Sequence, residues 1–161
     1  MPTRTATADS PEPQLVITRT FDAPRALVFE AWSKPEHLTR WFGPTGFTLP
    51  VCEMDFRVGG AMNVTMRAPD GQEYRSRSAF REIVVPERIV IEGALLGDDG
   101  EPQFEDRNTV TFEERGGKTI VTVTAEVIEI HDPRAAAGIE GMEQGWNETL
   151  DRLEAYLATK H

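Results

Sequence analysis

The chain has 161 residues, of which 39% are hydrophobic and 27% are charged, and its formal net charge is -10. This length suits one domain, and the composition is typical of a globular protein rather than a disordered one. The acidic balance argues against nucleic acid or an anionic membrane as a partner, because both require a basic surface. No apolar run reaches the roughly 18 residues of a transmembrane helix, and residues 1–13 lack the apolar core of a secretory signal.

The N-terminal part of the chain predicts a tail, one strand and two short helices. Residues 1–13 show no hydrophobic period and are expected to be a disordered tail, which leaves a single domain over residues 14–161. Residues 14–20 are rich in β-branched side chains and predict a strand. Apolar residues at helical spacing predict a helix over residues 25–33, and Pro35 opens a second short helix that runs to Trp41.

From Phe47 the apolar residues alternate in the two-residue period of strands. Strands are predicted over residues 47–56, 62–67, 72–84, 88–96, 106–114 and 119–129. Turn sequences such as Pro69-Asp70-Gly71 separate them and join neighbouring strands as hairpins. Consecutive hairpins predict an antiparallel sheet.

The C-terminal segment has a helical period from about Arg134 to the end. One stripe of apolar residues recurs every three or four positions: Ile139, Met142, Trp146, Leu150, Leu153 and Leu157. Such a helix can cross a whole sheet, and its stripe must bury against the apolar face of that sheet. Glycine costs about 0.5–1 kcal/mol in a helix interior, and three glycines fall here: Gly138, Gly141 and Gly145. They either make room for the sheet or a ligand, or show that the regular helix begins only near Met142.

The strand predicted over residues 72–84 has two unlike sides. Arginines at positions 75, 77 and 81 fall mostly on one side, which is therefore the solvent side. The opposite side carries small hydroxyl residues, which fill little volume if they face inward. We therefore predict a cavity between helix and sheet, with a solid core as the open alternative. Its expected lining is Trp41, Met62, Met66, Tyr74, Ser76, Ser78, Phe80, Met142 and Trp146.

Catalytic groups are sparse in the sequence. Tyr74 and His131 are candidate acids or bases, and a solvated or capping role is the alternative for His131. His37 is expected to be exposed. The single cysteine, Cys52, cannot form an internal disulfide, which fits a reducing cytoplasm, and we interpret it as a small buried hydrophobic residue. No cysteine and histidine spacing indicates a metal site, and no glycine-rich phosphate loop occurs, so we assign no catalytic residue, metal or cofactor.

Five short motifs follow one another along the chain. They are Trp41-Phe42-Gly43-Pro44, Pro69-Asp70-Gly71 with Tyr74, Val85-Pro86-Glu87-Arg88, Val110-Thr111-Phe112 with Gly116-Gly117, and Gly145-Trp146 with Leu150-Asp151-Arg152-Leu153. Over roughly Leu15 to Leu157 the sequence resembles the family named after the activator of the heat-shock-protein-90 ATPase. That family belongs to the START-related superfamily, also called SRPBCC or pollen-allergen-like.

The resemblance implies an α+β helix-grip fold. A curved antiparallel sheet of about six to seven strands would wrap around a long C-terminal helix, with two short helices after the first strand. It also implies a cavity for an apolar or amphipathic small molecule, since the superfamily includes lipid and hormone carriers, aromatic polyketide cyclases and stress-related proteins. Fold alone does not decide among these roles.

Three functional hypotheses follow and stay open at this point. The favoured one is binding of a hydrophobic or amphipathic small molecule, with no nucleic-acid or membrane partner. The second is a cyclase- or hydratase-like enzyme that uses the same pocket. The third is a chaperone-linked or stress-response interaction protein, and a homodimer through exposed strands is a further hypothesis.

Overall fold

The structure, a computed structural model, describes residues 14–160, so the predicted tail over residues 1–13 lies outside the described residues. The chain begins with strand β1 (Gln14–Phe21) and helices α1 (Arg25–Ser33) and α2 (Pro35–Trp41). Six strands follow: β2 (Thr48–Met54), β3 (Ala61–Arg67), β4 (Glu73–Val84), β5 (Arg88–Leu96), β6 (Pro102–Arg115) and β7 (Lys118–Ile130). A 3-10 turn (Pro133–Ala135) then leads into helices α3 (Ala136–Glu140) and α4 (Met142–Ala158).

The strands form one 7-stranded antiparallel sheet in the order β1-β7-β6-β5-β4-β3-β2. Strands β2 to β7 pair in chain order, as the hairpin turns predict. Strand β1 departs from that order and pairs with β7, with Leu15 opposite Ala125. The predicted α+β architecture is therefore confirmed.

Strand β6 begins earlier than the sequence pattern predicts. The prediction placed its start at Asp106, whereas the strand starts at Pro102. Phe104 pairs with Leu95 on one side and with Ile130 on the other. Because this extension depends on two neighbouring strands, the local pattern alone did not indicate it.

The C-terminal helical region is interrupted at Gly141. This residue, with φ -82° and ψ -1°, lies between α3 and α4, and the regular helix begins at Met142. The prediction of one continuous helix from Arg134 is therefore wrong, and the alternative start near Met142 is correct. Gly145 lies inside α4, where a β-carbon would come within 3.7 Å of Pro44 Cγ, an ordinary contact.

The C-terminal half of α4 forms the packed part of the core. Leu150 and Leu153 are fully buried, and Leu157 is nearly so. They share one apolar cluster with the inner face of the sheet and with the helices α1 and α2, including Val28, Leu38, Val110, Val121 and Val123. The apolar stripe thus holds α4 against the sheet, mainly by removing apolar surface from water.

Polar contacts fix the position of α4 at two further places. The Arg152 guanidinium donates hydrogen bonds to the carbonyl oxygens of Gly43 and Pro44, at 2.9 and 3.0 Å. Gly43 has a φ of 109°, which favours glycine. On the other side, Arg19 of β1 forms an ion pair of 2.9 Å with Asp151. None of the helices within residues 14–160 is long and apolar enough to cross a membrane.

The packing of α4 predicts the effect of truncating its stripe. Leu153→Ala removes a fully buried side chain and leaves a cavity, so we expect it to lower the free energy of unfolding by about 2–5 kcal/mol. Glu154→Ala, at the exposed neighbouring position, is the control and should change it by less than about 0.5 kcal/mol. Urea denaturation followed by circular dichroism measures both values. Equal effects of the two substitutions would contradict the assigned orientation of α4.

Candidate functional site

A cavity of about 730 Å³ separates the N-terminal half of α4 from the inner face of the sheet. Helix α4 contributes Met142, Gly145, Trp146 and Thr149 to its wall, and strands β3 to β6 form the opposite wall. Exposed residues lie at its border, so the cavity opens to solvent there: Gln72, Glu73 and Asp98. Its volume is within the range of about 300–1,000 Å³ that is typical of small-molecule sites.

Small side chains explain why the core is not filled here. Ser76 and Ser78 of β4 face the cavity, and Gly93 of β5 pairs with Ser78. A β-carbon at Gly93 would collide with the Ser78 side chain and the Arg77 carbonyl oxygen, so the close approach of β4 and β5 requires glycine. Ser76 and Ser78 on the sheet and Gly145 on the helix leave volume that large apolar side chains occupy elsewhere in the core.

Most of the residues predicted to line the cavity do border it: Met62, Met66, Tyr74, Ser76, Ser78, Met142 and Trp146. The expected placement of Trp41 and Phe80 is corrected, since neither borders it. Trp41 is fully buried, donates from Nε1 to the Ala31 carbonyl oxygen at 3.1 Å and packs on Trp32. Phe80 packs edge-to-face on Phe56 with a centroid distance of 5.1 Å. Both therefore belong to the solid part of the core.

Aromatic rings from three elements form one end of the cavity wall. Trp32 of α1 stacks on Trp146 of α4, with centroids 6.1 Å apart and ring planes at 18°. Phe42, which follows α2, meets Trp146 edge-on at 6.1 Å. The Trp32 Nε1 is buried and has no hydrogen-bond partner within residues 14–160. Local sequence patterns do not indicate Trp32 or Phe42 as cavity residues, because only tertiary packing brings α1, α2 and α4 together.

A carboxyl group lies on the sheet wall of the cavity. Asp106 of β6 accepts a hydrogen bond from Asn108 Nδ2 at 3.3 Å, and both residues border the cavity. Burial raises the pKa of Asp106 from its ordinary 3.8 to about 6, although the hydrogen bond from Asn108 acts in the opposite direction. No Lys, Arg or His side chain among the described residues forms an ion pair with it.

The polar end of the cavity follows one row of paired residues across the sheet. Ser78 of β4 pairs with Gly93 of β5, which pairs with Asp106 of β6. Neighbouring strands lie about 4.8 Å apart, so Ser78 and Asp106 stand roughly 10 Å apart with no side chain between them. Asp106 and Asn108 are not among the cavity residues predicted from the sequence. Their two-residue spacing from the buried Val110 and Phe112 was the available signal for an inward orientation, because residues two apart on a strand share a face.

The two candidate acids or bases occupy different places. Tyr74 borders the cavity near its opening and is 38% exposed. His131 does not border the cavity; its Nε2 lies 2.7 Å from Glu105 Oε2, and this hydrogen bond raises the pKa of His131. Atoms of Glu105, Glu129 and His131 lie within 4.8 Å of one another, a spacing that could hold a cation. The hydrogen bond between His131 and Glu105 already accounts for their proximity.

A second cleft, of about 640 Å³, lies between α2 and α4. Its lining combines basic and aromatic side chains with one acid: Glu36, His37, Arg40, Arg152, Tyr156 and Lys160. The predicted exposure of His37 is wrong, since the residue is half-buried and its Nδ1 lies 2.6 Å from the Tyr156 hydroxyl. Cys52 is half-buried against the apolar core, and burial raises the pKa of its thiol, which agrees with a packing role.

The buried carboxyl predicts a dependence of stability on pH. Because folding raises the pKa of Asp106, its protonated form favours folding, and this contribution is present below about pH 4 and lost as the pH rises through about 6. A shift of about two pKa units corresponds to at most about 3 kcal/mol. Asp106→Asn is neutral at every pH, so its free energy of unfolding relative to that of the wild type should rise between pH 4 and pH 7.5. Parallel urea titrations measure this difference, and a constant difference would show that Asp106 is not buried as a carboxylate.

Known structures of the same type cover nearly the whole chain. A protein from Chromobacterium violaceum is 29% identical, with a TM-score of 0.76, over 88% of this chain and 94% of its own. A protein from Rhizobium leguminosarum is 28% identical, with a TM-score of 0.73, over 92% of this chain and 95% of its own. The AHSA1 protein from Silicibacter pomeroyi shares the fold at 22% identity, with a TM-score of 0.74, over 92% of this chain and 100% of its own.

No curated protein shows a significant match to the chain. The family described as "Activator of Hsp90 ATPase homolog 1-like protein" matches residues 22–158. This range includes both short helices, strands β2 to β7 and α4, and therefore every element that contributes to the cavity. The chain belongs to the family of Activator of Hsp90 ATPase homolog 1-like proteins.

Proposed function

We propose that the protein binds an apolar or amphipathic small molecule in the cavity between α4 and the sheet. The observation that carries this proposal is the cavity itself, with a volume of about 730 Å³ in a domain of 161 residues. Protein interiors are otherwise close-packed, and a large apolar cleft with a few convergent polar groups is typical of a small-molecule site. A space of this volume therefore supports occupation by a ligand rather than imperfect packing.

The chemistry of the wall supports the same class of ligand. Apolar side chains, both aromatic and aliphatic, form much of the wall, and polar side chains are concentrated on β4 and β6. Burial of apolar surface stabilises a complex by about 25 cal/mol per Å², so a ligand that buries 200 Å² gains about 5 kcal/mol before the entropy of association is subtracted. An apolar body with a polar group at one end matches this distribution.

A reaction in the same cavity is the second hypothesis. One observation favours it: Asp106 is a carboxyl in a cavity with a pKa raised by burial, as general acids often have. Tyr74 also borders the cavity, whereas His131 does not. A chaperone-linked or stress-response role, a homodimer and a cytoplasmic location stay proposals that rest on the family and on the sequence.

Filling the cavity tests the binding proposal. Ser76→Phe introduces a ring into the space, and we expect it to weaken binding of the neutral dye Nile red at least tenfold, because ring and dye compete for one volume. Arg77→Phe, at the exposed neighbouring position on the other face of β4, is the matched control and should bind the dye as the wild type does. Dye fluorescence in a titration measures both affinities.

Trp32 and Trp146 border the cavity, so quenching of tryptophan fluorescence provides an independent signal. Octanol, which has an apolar chain and a neutral polar end, serves as the second probe. The proposal fails if neither Nile red nor octanol binds the wild type, or if Ser76→Phe and Arg77→Phe bind both probes equally well.

A further inference from the structure

We infer that the cavity selects ligands that carry a protonated amine, which the Asp106 carboxylate receives at the polar end of the wall. This inference rests on the proposed function, and it narrows the class of ligand from amphipathic molecules in general to amphipathic amines.

Asp106 has more capacity to accept hydrogen bonds than its neighbours use. Among the described residues, Asn108 is the one side chain that donates to it, at 3.3 Å, and the backbone N–H of Asp106 itself is a second donor. An ionised carboxylate offers about four acceptor sites on its two oxygens. Asp106 and Asn108 both border the cavity, so open space lies beside the carboxyl group. A ligand head group therefore has both room and unused acceptors at this position.

Charge distinguishes an amine from other donors. Partial burial of a carboxylate without a cation costs free energy. An ammonium group offsets this cost, because it supplies the opposite charge and a charge-assisted hydrogen bond roughly twice as strong as a neutral one. A ligand hydroxyl would supply a hydrogen bond without the opposite charge. A ligand carboxylate would be repelled by the Asp106 carboxylate, because no basic side chain among the described residues forms an ion pair with Asp106 and offsets its charge.

The charge at the opening of the cavity also favours a cationic ligand. The exposed acids Glu73 and Asp98 stand at the opening of the cavity in a chain of net charge -10, so cations are attracted to the entrance. Part of the Glu73 charge is offset by Arg67, whose Nη2 lies 2.7 Å from Glu73 Oε2.

The protonation state of Asp106 sets the pH range of the selection. Its pKa of about 6 makes it mostly ionised at pH 7.5 and mostly neutral at pH 5. The other titratable groups on the cavity wall are Glu73 and Tyr74 of β4 and Asp98 of the turn after β5, among the residues described. Helix α4 faces the cavity with neutral residues: Met142, Gly145, Trp146 and Thr149. Burial thus places the pKa of Asp106 between the two test conditions.

Three probes with one chain length test the inference: octylamine, octanol and octanoate. At pH 7.5 we expect the wild type to bind octylamine at least tenfold more tightly than octanol, and octanoate more weakly than octanol. Asp106→Asn keeps the shape of the side chain and removes its charge, so it should lower octylamine affinity at least tenfold and leave octanol affinity within twofold. Isothermal calorimetry and tryptophan quenching measure these affinities.

Glu154→Gln is the charge-matched control, because it removes one exposed acid from the chain at a position that does not border the cavity. It should retain the preference for octylamine. At pH 5 the wild type should lose most of its preference, whereas Asp106→Asn should change little between the two pH values.

The outcomes separate the inference from the proposed function. Equal affinity of the wild type for octylamine and octanol overturns the amine selection and leaves binding in the cavity standing. Retention of the octylamine preference by Asp106→Asn, or its loss in Glu154→Gln, also overturns it, because the preference would then come from overall charge. If neither the three octyl probes nor Nile red bind, the proposed function fails together with the inference.

Discussion

The burial of one helical stripe against a curved sheet is the interaction on which the rest of the structure depends. Leu150, Leu153 and Leu157 anchor α4 over the apolar inner face of the strands. Without that contact, a sheet with one apolar face would expose it to water. Two polar contacts orient α4 on the sheet. The ion pair between Arg19 and Asp151 holds it against β1, and the hydrogen bonds of Arg152 hold it against the loop after α2.

The same helix also separates a packed region from an unfilled one. Leucines occupy its C-terminal half, whereas Gly145 and Thr149 leave space in its N-terminal half opposite the serines of β4. The C-terminal turns of α4 thus stabilise the fold, and its N-terminal turns border the cavity. The anchored half supplies enough burial for the domain to tolerate an interior space and a partly buried carboxyl, both of which are unfavourable in a folded protein. Local departures from good packing of this kind are typical of functional sites.

Membership of the family explains the scaffold but leaves the chemistry of the cavity to individual side chains. Relatives at 28–29% identity keep the same arrangement of sheet and helix over nearly their whole length. Which molecule fits depends on residues that can vary without changing that arrangement, such as Asp106, Asn108 and the two serines of β4. Among the described residues, the neutral face of α4 and the buried carboxyl of Asp106 on the sheet wall produce an asymmetric site, neutral on the helix side and acidic on the sheet side.

The sequence by itself determined the class of fold, the two short helices, the antiparallel order of the hairpin strands and seven of the residues on the cavity wall. These features depend on local periodicity, which residues such as Met62, Ser76 and Trp146 display in their own segments. Only the tertiary structure decided that Trp41 and Phe80 are enclosed in solid core, that Trp32 reaches the wall, and that Asp106 is partly buried. Those facts depend on which elements meet, and the environment of a carboxyl, and therefore its pKa, is set by neighbours that lie far away in the sequence.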